Sequence, residues 1–459
     1  MGIWPVLAHP RGPVRKGECA GHSKRPMVSG DDSQLWYDTR VLGTFPQGFV
    51  QSLREQKNKG VHDMMARHHI WRGAGTCIAL AAVFSLIAPT GAGAQESGGT
   101  PPHWLVYIGT YTGGQSEGIY LLHLDTETGE LEVVGLAGEA NNPSFLALHP
   151  TEPLLYSVGR MTDEEGNTVG ALNAFAIDPE TGLLELLNQH PSIGGGPCHI
   201  AVDLPGRHAM AANYGGGSAI VASIEDDGSL GETTAYVEHE GSSVHPRQQS
   251  PHAHAVDLAP DGRFLFVADL GIDQIRIYRY SDEDGSLEPN DPPHAETAPG
   301  AGPRHFTFHP SGEYAYVINE LDNTITAFTY DAEAGALDPI HTVPTLPDDF
   351  DGDNTTAEIR VHPTGRFVYG SNRGHHSIAA FSVDADTGEL TPIGHTSTRG
   401  ETPRNFNIDP TGRFLLAANQ DTDNIAVFRI DQETGELEFT GSEVEVGAPV
   451  CVTFRAPFN

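Results

Sequence analysis

Lysine is missing from most of this chain. Residues 95–459 contain 15 Arg, no Lys and 55 acidic residues, a formal charge of −40, whereas residues 1–94 hold 11 Lys+Arg against 6 acids, a net of +5. So acidic a surface repels phosphates, which argues against nucleic acid or an anionic membrane as partner. It suits work at high ionic strength, where screening is strong. Cysteine is scarce too. Cys19 and Cys77 fall in the N-terminal stretch, which leaves Cys198 and Cys451, with no C-x-x-C and no Cys/His metal spacing. An oxidising compartment would permit a disulfide, but the two stand near strand starts in different repeats, where small buried thiols are expected. No segment sustains a helical period, which points to an all-β chain. No G-x-S-x-G elbow occurs, nor a Gly-rich phosphate loop leading into a helix.

Long apolar runs are absent as well. One short run, TCIALAAVFSLIA (76–88), follows a basic segment that begins at Met64 and Met65, and it precedes Ala92-Gly93-Ala94. This is the pattern of a signal peptide, too short for a membrane span. It predicts translation from Met64 or Met65, export to the periplasm or medium, and a mature chain that begins near Gln95. If the signal is not used, the protein is cytoplasmic. Residues 1–63 show no periodicity and read as a disordered or mis-assigned upstream extension, 64–94 as the signal peptide, and 95–459 as one folded domain.

What the domain does contain is repetition. An apolar run, a Pro/Gly turn and a second apolar run recur at FLALHPTEPLLYSV (145–158), IAVDLPGRHAMAAN (200–213), AVDLAPDGRFLFVAD (255–269), FTFHPSGEYAYVIN (306–319), IRVHPTGRFVYGSN (359–372) and FNIDPTGRFLLAAN (406–419). The marker prolines Pro150, Pro205, Pro260, Pro310, Pro363 and Pro410 are spaced by 55, 55, 50, 53 and 47 residues, the period of a propeller or solenoid. A third run such as QIRIYRYSD (274–282) follows in each unit, then an acidic Gly turn and a weaker fourth run. Four antiparallel strands per unit is a propeller blade. The N-terminal part opens on a second-strand run, HWLVYIGTYT (103–112), and the C-terminus closes on an unpaired first-strand run, PVCVTFRAP (449–457). The last strand therefore completes the first blade, which gives seven blades and removes the open edges.

In an antiparallel hairpin the start of the first strand lies beside the end of the second. At strand starts stand His199, His252, His254, Arg304, His305 and Arg404; at strand ends stand Asn213, Asp269, Asn319, Glu320, Asn372 and Arg373. Arg304 and Glu320, 16 residues apart across one hairpin, should be neighbours. Such a ring would hold carboxylate or phosphate by paired hydrogen bonds. A His or Glu in it could move a proton, and an Arg could face the oxyanion of an ester or lactone. Each residue has a bland alternative: an Arg or His at a propeller mouth often bridges blades, and Glu320 could serve only as partner to Arg304. The turn histidines His149, His309 and His362 read as structural, and Arg207, Arg263, Arg366 and Arg413 as surface. His252 and His254 could bind a metal, but no third ligand is fixed by spacing and an arginine-rich ring disfavours cations. Neither metal nor cofactor is expected.

On these residues the chain resembles the seven-bladed propeller lactonases, the family of the propeller-type 6-phosphogluconolactonase and the fungal carboxymuconate-cyclising enzyme. The matching stretches run from VYIGTYT (106–112) through GGGPCHIAV (194–202), PHAHAV (251–256), GAGPRHFTFHPSGEYAYVINEL (300–321) and AEIRVHPTGRFVYGSNR (357–373) to ETPRNFNIDPTGRFLLAANQ (401–420). The resemblance implies metal-free chemistry by a His, two Arg and a Glu, which fall on His254, Arg304, Glu320 and Arg373, with His252 one strand step from His254. His199, His252, His305, Asn319 and Arg404 are then the expected substrate contacts. The implied activity is a 6-phosphogluconolactonase-like lactonase, or a carboxymuconate-type cycloisomerase, acting on a small anionic lactone. The export signal leaves another sugar lactone or a carboxylated lactone open. The competing reading is a non-catalytic exported propeller that binds a ligand or surface partner. No membrane partner is expected, and a monomer is.

Overall fold

The computed structural model describes residues 101–458. The expected extension (1–63) and signal segment (64–94) lie outside the described residues. Those described form 28 strands in seven four-stranded antiparallel sheets, the blades of a β-propeller. Six blades are consecutive in sequence. The remaining one is closed by β28 (Pro449–Arg455) pairing with β1 (His103–Thr110), with Val106 opposite Phe454 and Gly109 opposite Cys451.

The strand patterns follow from position in the wedge. Second strands such as β17 (Tyr314–Asn319), β21 (Phe367–Asn372) and β25 (Phe414–Asn419) are buried along their whole length, because each face packs on a neighbouring blade. The outermost strands, such as β27 (Leu437–Glu445), alternate between half-buried and exposed. Between them the acidic turns close on themselves: Asp431 Oδ1 accepts from the amides of Glu433 and Thr434, both at 2.8 Å, ahead of Gly435 at φ 76°. Blades are latched to their successors at repeated positions. The phenols of Tyr107, Tyr156, Tyr316 and Tyr369 donate to the carbonyls of Gly182, Gly228, Gly388 and Gly435 in the next blade, at 2.8–3.1 Å. The turn histidines do the same, with Nε2 of His149, His309 and His362 at 3.0, 2.8 and 2.7 Å from the carbonyls of Gly206, Gly365 and Gly412. Their expected structural role holds.

One irregularity positions the site. The inner strands β8 (Pro197–Val202), β12 (Ala253–Leu258), β16 (Pro303–Phe308), β20 (Thr356–Val361), β24 (Pro403–Ile408) and β28 each slip register near their first residues. The extra residue is Cys198, His254, Arg304 and Arg404 in β8, β12, β16 and β24, and Val450 in β28. A β-bulge re-aims side chains and breaks the in/out alternation. Here it brings two successive residues of each inner strand to the axis.

Candidate active site

The bulged residues gather at one mouth of the axial channel. A narrow cavity of about 10 Å³ lies there, lined by Tyr111, Ser144, Cys198, Arg304, His305 and Arg404 among others; it has room for about one water. Beside it sits a buried carboxylate. Glu320, just past the end of β17, has 3% of its side chain exposed and is gripped by three guanidiniums. Arg304 Nε donates to Oε2 at 2.9 Å, while Oε1 lies 2.6 Å from Arg247 Nη1 and 3.0 Å from Arg373 Nη2. Arg304 is tied further to the Ala357 carbonyl (2.7 Å) and Arg373 to that of Thr356 (3.1 Å).

The electrostatics follow from that geometry. Burial alone would raise the Glu320 carboxyl, but Arg373, Arg247, Arg304 and His254 outweigh it and hold it well below the ordinary carboxylate range. Burial and the neighbouring Arg404 push Arg304 down to about 9, still charged at neutral pH. His254 is buried at this cluster, with Nδ1 3.8 Å from Cys198 Sγ. Burial, Arg304 and His305 hold it well below the usual histidine value, so it is a neutral imidazole. Cys198 and Cys451 are free thiols, and burial pushes each up to about 12. Cys198 is thus no nucleophile at neutral pH.

A second layer lies one residue further along the inner strands. His305 stacks edge-on to His199 and His254 at 5.3 and 5.2 Å. Its Nδ1 is 3.1 Å from Glu358 Oε1, without the alignment of a hydrogen bond, and both ring nitrogens are buried and unpartnered. Burial depresses His199 and His305 and raises Glu358. Glu358 Oε2 accepts from Asn405 Nδ2 and lies 3.4 Å from Arg360.

Of the residues expected from sequence, His254, Arg304, Glu320 and Arg373 come together, and Arg404 joins them at the cavity, its guanidinium 5.4 Å over the Tyr111 ring. The pair at 252 and 254 separates: His254 packs on Cys198 and the His305 ring, whereas His252 stacks on Tyr214 (4.5 Å) and lies 2.9 Å from its carbonyl. His305 lines the cavity with Arg304 and Arg404, whereas His199 packs behind it on the rings of Phe145 and His305. Asn319 Nδ2 donates to Thr324 and Thr326, while its Oδ1 is buried without a hydrogen-bond partner; the matching Asn213, Asn372 and Asn419 hold linker carbonyls of Ser192, Thr345 and Thr398. Sequence reasoning missed Arg247 and Glu358. Glu358 occupies the position of His305 in the next blade, a signal the repeat alignment carried. Arg247 stands in a linker, where strand-end logic does not look. Among the described residues no group of three or more His, Cys, Asp or Glu is arranged to hold a metal ion.

Comparison with known proteins gives four matches that agree on the fold. The family described as lactonase, 7-bladed beta-propeller, matches residues 105–454. The 6-phosphogluconolactonase of Bacillus subtilis (strain 168) is 41% identical over 303 residues, covering 66% of this chain and 84% of that protein. Among solved structures, the periplasmic gluconolactonase of Pseudomonas aeruginosa is 33% identical with a TM-score of 0.72, covering 77% of this chain and 99% of its own. A protein from Lactobacillus plantarum is 38% identical with a TM-score of 0.71 over the same shares.

Proposed function

The chain belongs to the seven-bladed β-propeller lactonase family, and we propose that it opens the ring of a small anionic lactone by hydrolysis at the Glu320 cluster, without a metal. The observation that carries this reading is the convergence of three guanidiniums on one buried carboxylate beside a neutral imidazole. Water attacks the lactone carbonyl carbon, and Arg304 and Arg373 stabilise the oxyanion that develops. His254 takes the water's proton and returns it to the ring oxygen as the acyl C–O bond breaks. The product is a hydroxy acid, which ionises. Glu320 stays charged throughout and fixes the guanidinium forks. Both Glu320 oxygens are occupied by guanidiniums, which leaves the neutral His254 imidazole as the proton carrier. Ring closure is the same path in reverse.

Relatives named for 6-phosphogluconolactone and gluconolactone support a sugar lactone as substrate class. The basic leader pattern and a periplasmic relative support export; sequencing the native N-terminus tests it, and a start upstream of Met64 would refute it. For the activity, purified protein is offered sugar and aromatic lactones, and acid release is followed by pH indicator with and without chelator. Arg304→Ala should lower turnover at least ~100-fold, the scale of a lost oxyanion donor. Near-parental turnover in that variant rejects the site. No acid release from any lactone by folded protein favours a binding propeller, and loss of activity with chelator favours a metal.

A further inference from the structure

Linkers between blades rise at the mouth that carries Arg304, and two are longer than the rest, 345–355 and, longest of all, 239–252. The connection from β27 to β28 takes residues 446–448 and that from β7 (Leu184–Pro191) to β8 takes 192–196, but the connection from β11 (Leu230–Glu238) to β12 runs over 239–252. This linker is fastened down. Gln248 Nε2 donates to the Leu270 carbonyl (2.8 Å) and to Asp273 Oδ1 (2.7 Å), and Ser243 Oγ donates to Asp273 Oδ2. His239 Nδ1 lies 2.6 Å from Asp269 Oδ2. What the linker delivers is Arg247, with Nη1 on Glu320 and Nη2 donating to Tyr214 Oη at 3.1 Å. Tyr214 is itself braced by the His252 ring.

We infer that Arg247 and Tyr214 form the subsite for the substrate's remote acidic group, phosphate or carboxylate, and thereby set a preference for anionic over neutral lactones. The assignment rests on the lactonase reading above. Three observations converge on it. One carboxylate charge is shared among three guanidiniums, so the cluster keeps positive charge for a ligand anion. Arg247 is the outermost of the three, with 20% of its side chain exposed against 2% for Arg304 and 7% for Arg373. The buried pair suits the carbonyl being attacked, while the outer cation meets the end of the substrate farther from it. Finally, a guanidinium pre-set by a fastened linker binds an oxyanion with little loss of freedom. If Arg247 only neutralises Glu320, its removal must affect anionic and neutral ligands alike.

The test uses the acid products as probes, so it does not depend on turnover. Binding of 6-phosphogluconate, of a dicarboxylic sugar acid and of gluconate is measured by calorimetry for the parent, Arg247→Ala and Tyr214→Phe. The parent should prefer the two acids that carry a second acidic group at least ~10-fold, and Arg247→Ala should bring that ratio under ~3-fold, as expected for a lost charge-assisted hydrogen bond. Tyr214→Phe should narrow the ratio by a smaller factor. A preference for one of these two acids alone identifies phosphate or carboxylate as the group read. Absence of any preference or binding in the parent, or a ratio that survives Arg247→Ala, overturns the assignment. A parent that shows the ratio yet hydrolyses no lactone refutes the catalytic reading and leaves the subsite standing.

Discussion

Replacing Glu320 by glutamine keeps the side chain's shape and removes its charge. In the parent, Oε2 accepts from Arg304 at 2.9 Å, while Arg247 and Arg373 crowd Oε1 at 2.6 and 3.0 Å. An amide has one oxygen and one NH2. Oriented to keep Arg247 and Arg373, it turns two N–H donors on the Arg304 Nε–H; flipped, it faces two guanidiniums with donors. Either way a buried cation loses its partner, and the cluster gains a unit of uncompensated positive charge. Breaking a buried pair from one side costs about 3–5 kcal/mol. Urea unfolding followed by circular dichroism should show that loss in Glu320→Gln. The same geometry predicts a partial rescue. Phosphate can occupy the uncompensated arginines, and at 100 times its dissociation constant it returns about 2.7 kcal/mol. Unfolding is therefore repeated in phosphate and in chloride at equal ionic strength. A loss below about 1 kcal/mol, or an equal phosphate response in parent and variant, refutes Glu320 as the hub of the mouth.

Two further outcomes follow from other layers. Folded His199, His254 and His305 have values depressed below the unfolded 6.5, so the unfolded chain binds more protons as pH falls. Their contribution is fully present above about 6.5 and is lost below it, at up to about 1.4 kcal/mol per pH unit for each residue. Glu358 and Asp257, whose folded values are raised, Asp257 to about 8, work in the opposite sense. The difference between parent and His254→Gln isolates one histidine: the variant should lose less stability from pH 7 to 5, and parallel curves would contradict a neutral His254. Tyr369→Phe removes the 2.9 Å bond to the Gly435 carbonyl between two blades. It should cost about 1 kcal/mol of unfolding free energy and leave lactone turnover intact; an unchanged thermal midpoint would argue against the latch.

Much of the molecule was legible in the residues alone. The Pro-turn period counts the blades, and the orphan run at 449–457 pairs with 103–112, because alternation and turn chemistry are local properties that each repeat states again. The meeting of Arg304 with Glu320 was also legible, since a hairpin of known length puts its two ends side by side. Arg404 and Arg373 followed from the same logic in neighbouring blades.

The tertiary structure decided what the repeats could not. A bulge at the head of each inner strand from β8 onward adds one residue, and that single insertion lets Arg304 and the next residue, His305, line the same cavity, an arrangement invisible to a strict period of two. The path of linker 239–252 brings Arg247 onto Glu320 from outside the blades. Whether Glu320 is a base or an anchor depended on how many cations reach one carboxylate, a sum of long-range charges set by several blades at once. Strand, turn and closure are written in near neighbours along the chain; the charge state of the mouth is set only after folding brings Arg247, Arg304 and Arg373 each within 3.0 Å of the Glu320 carboxylate.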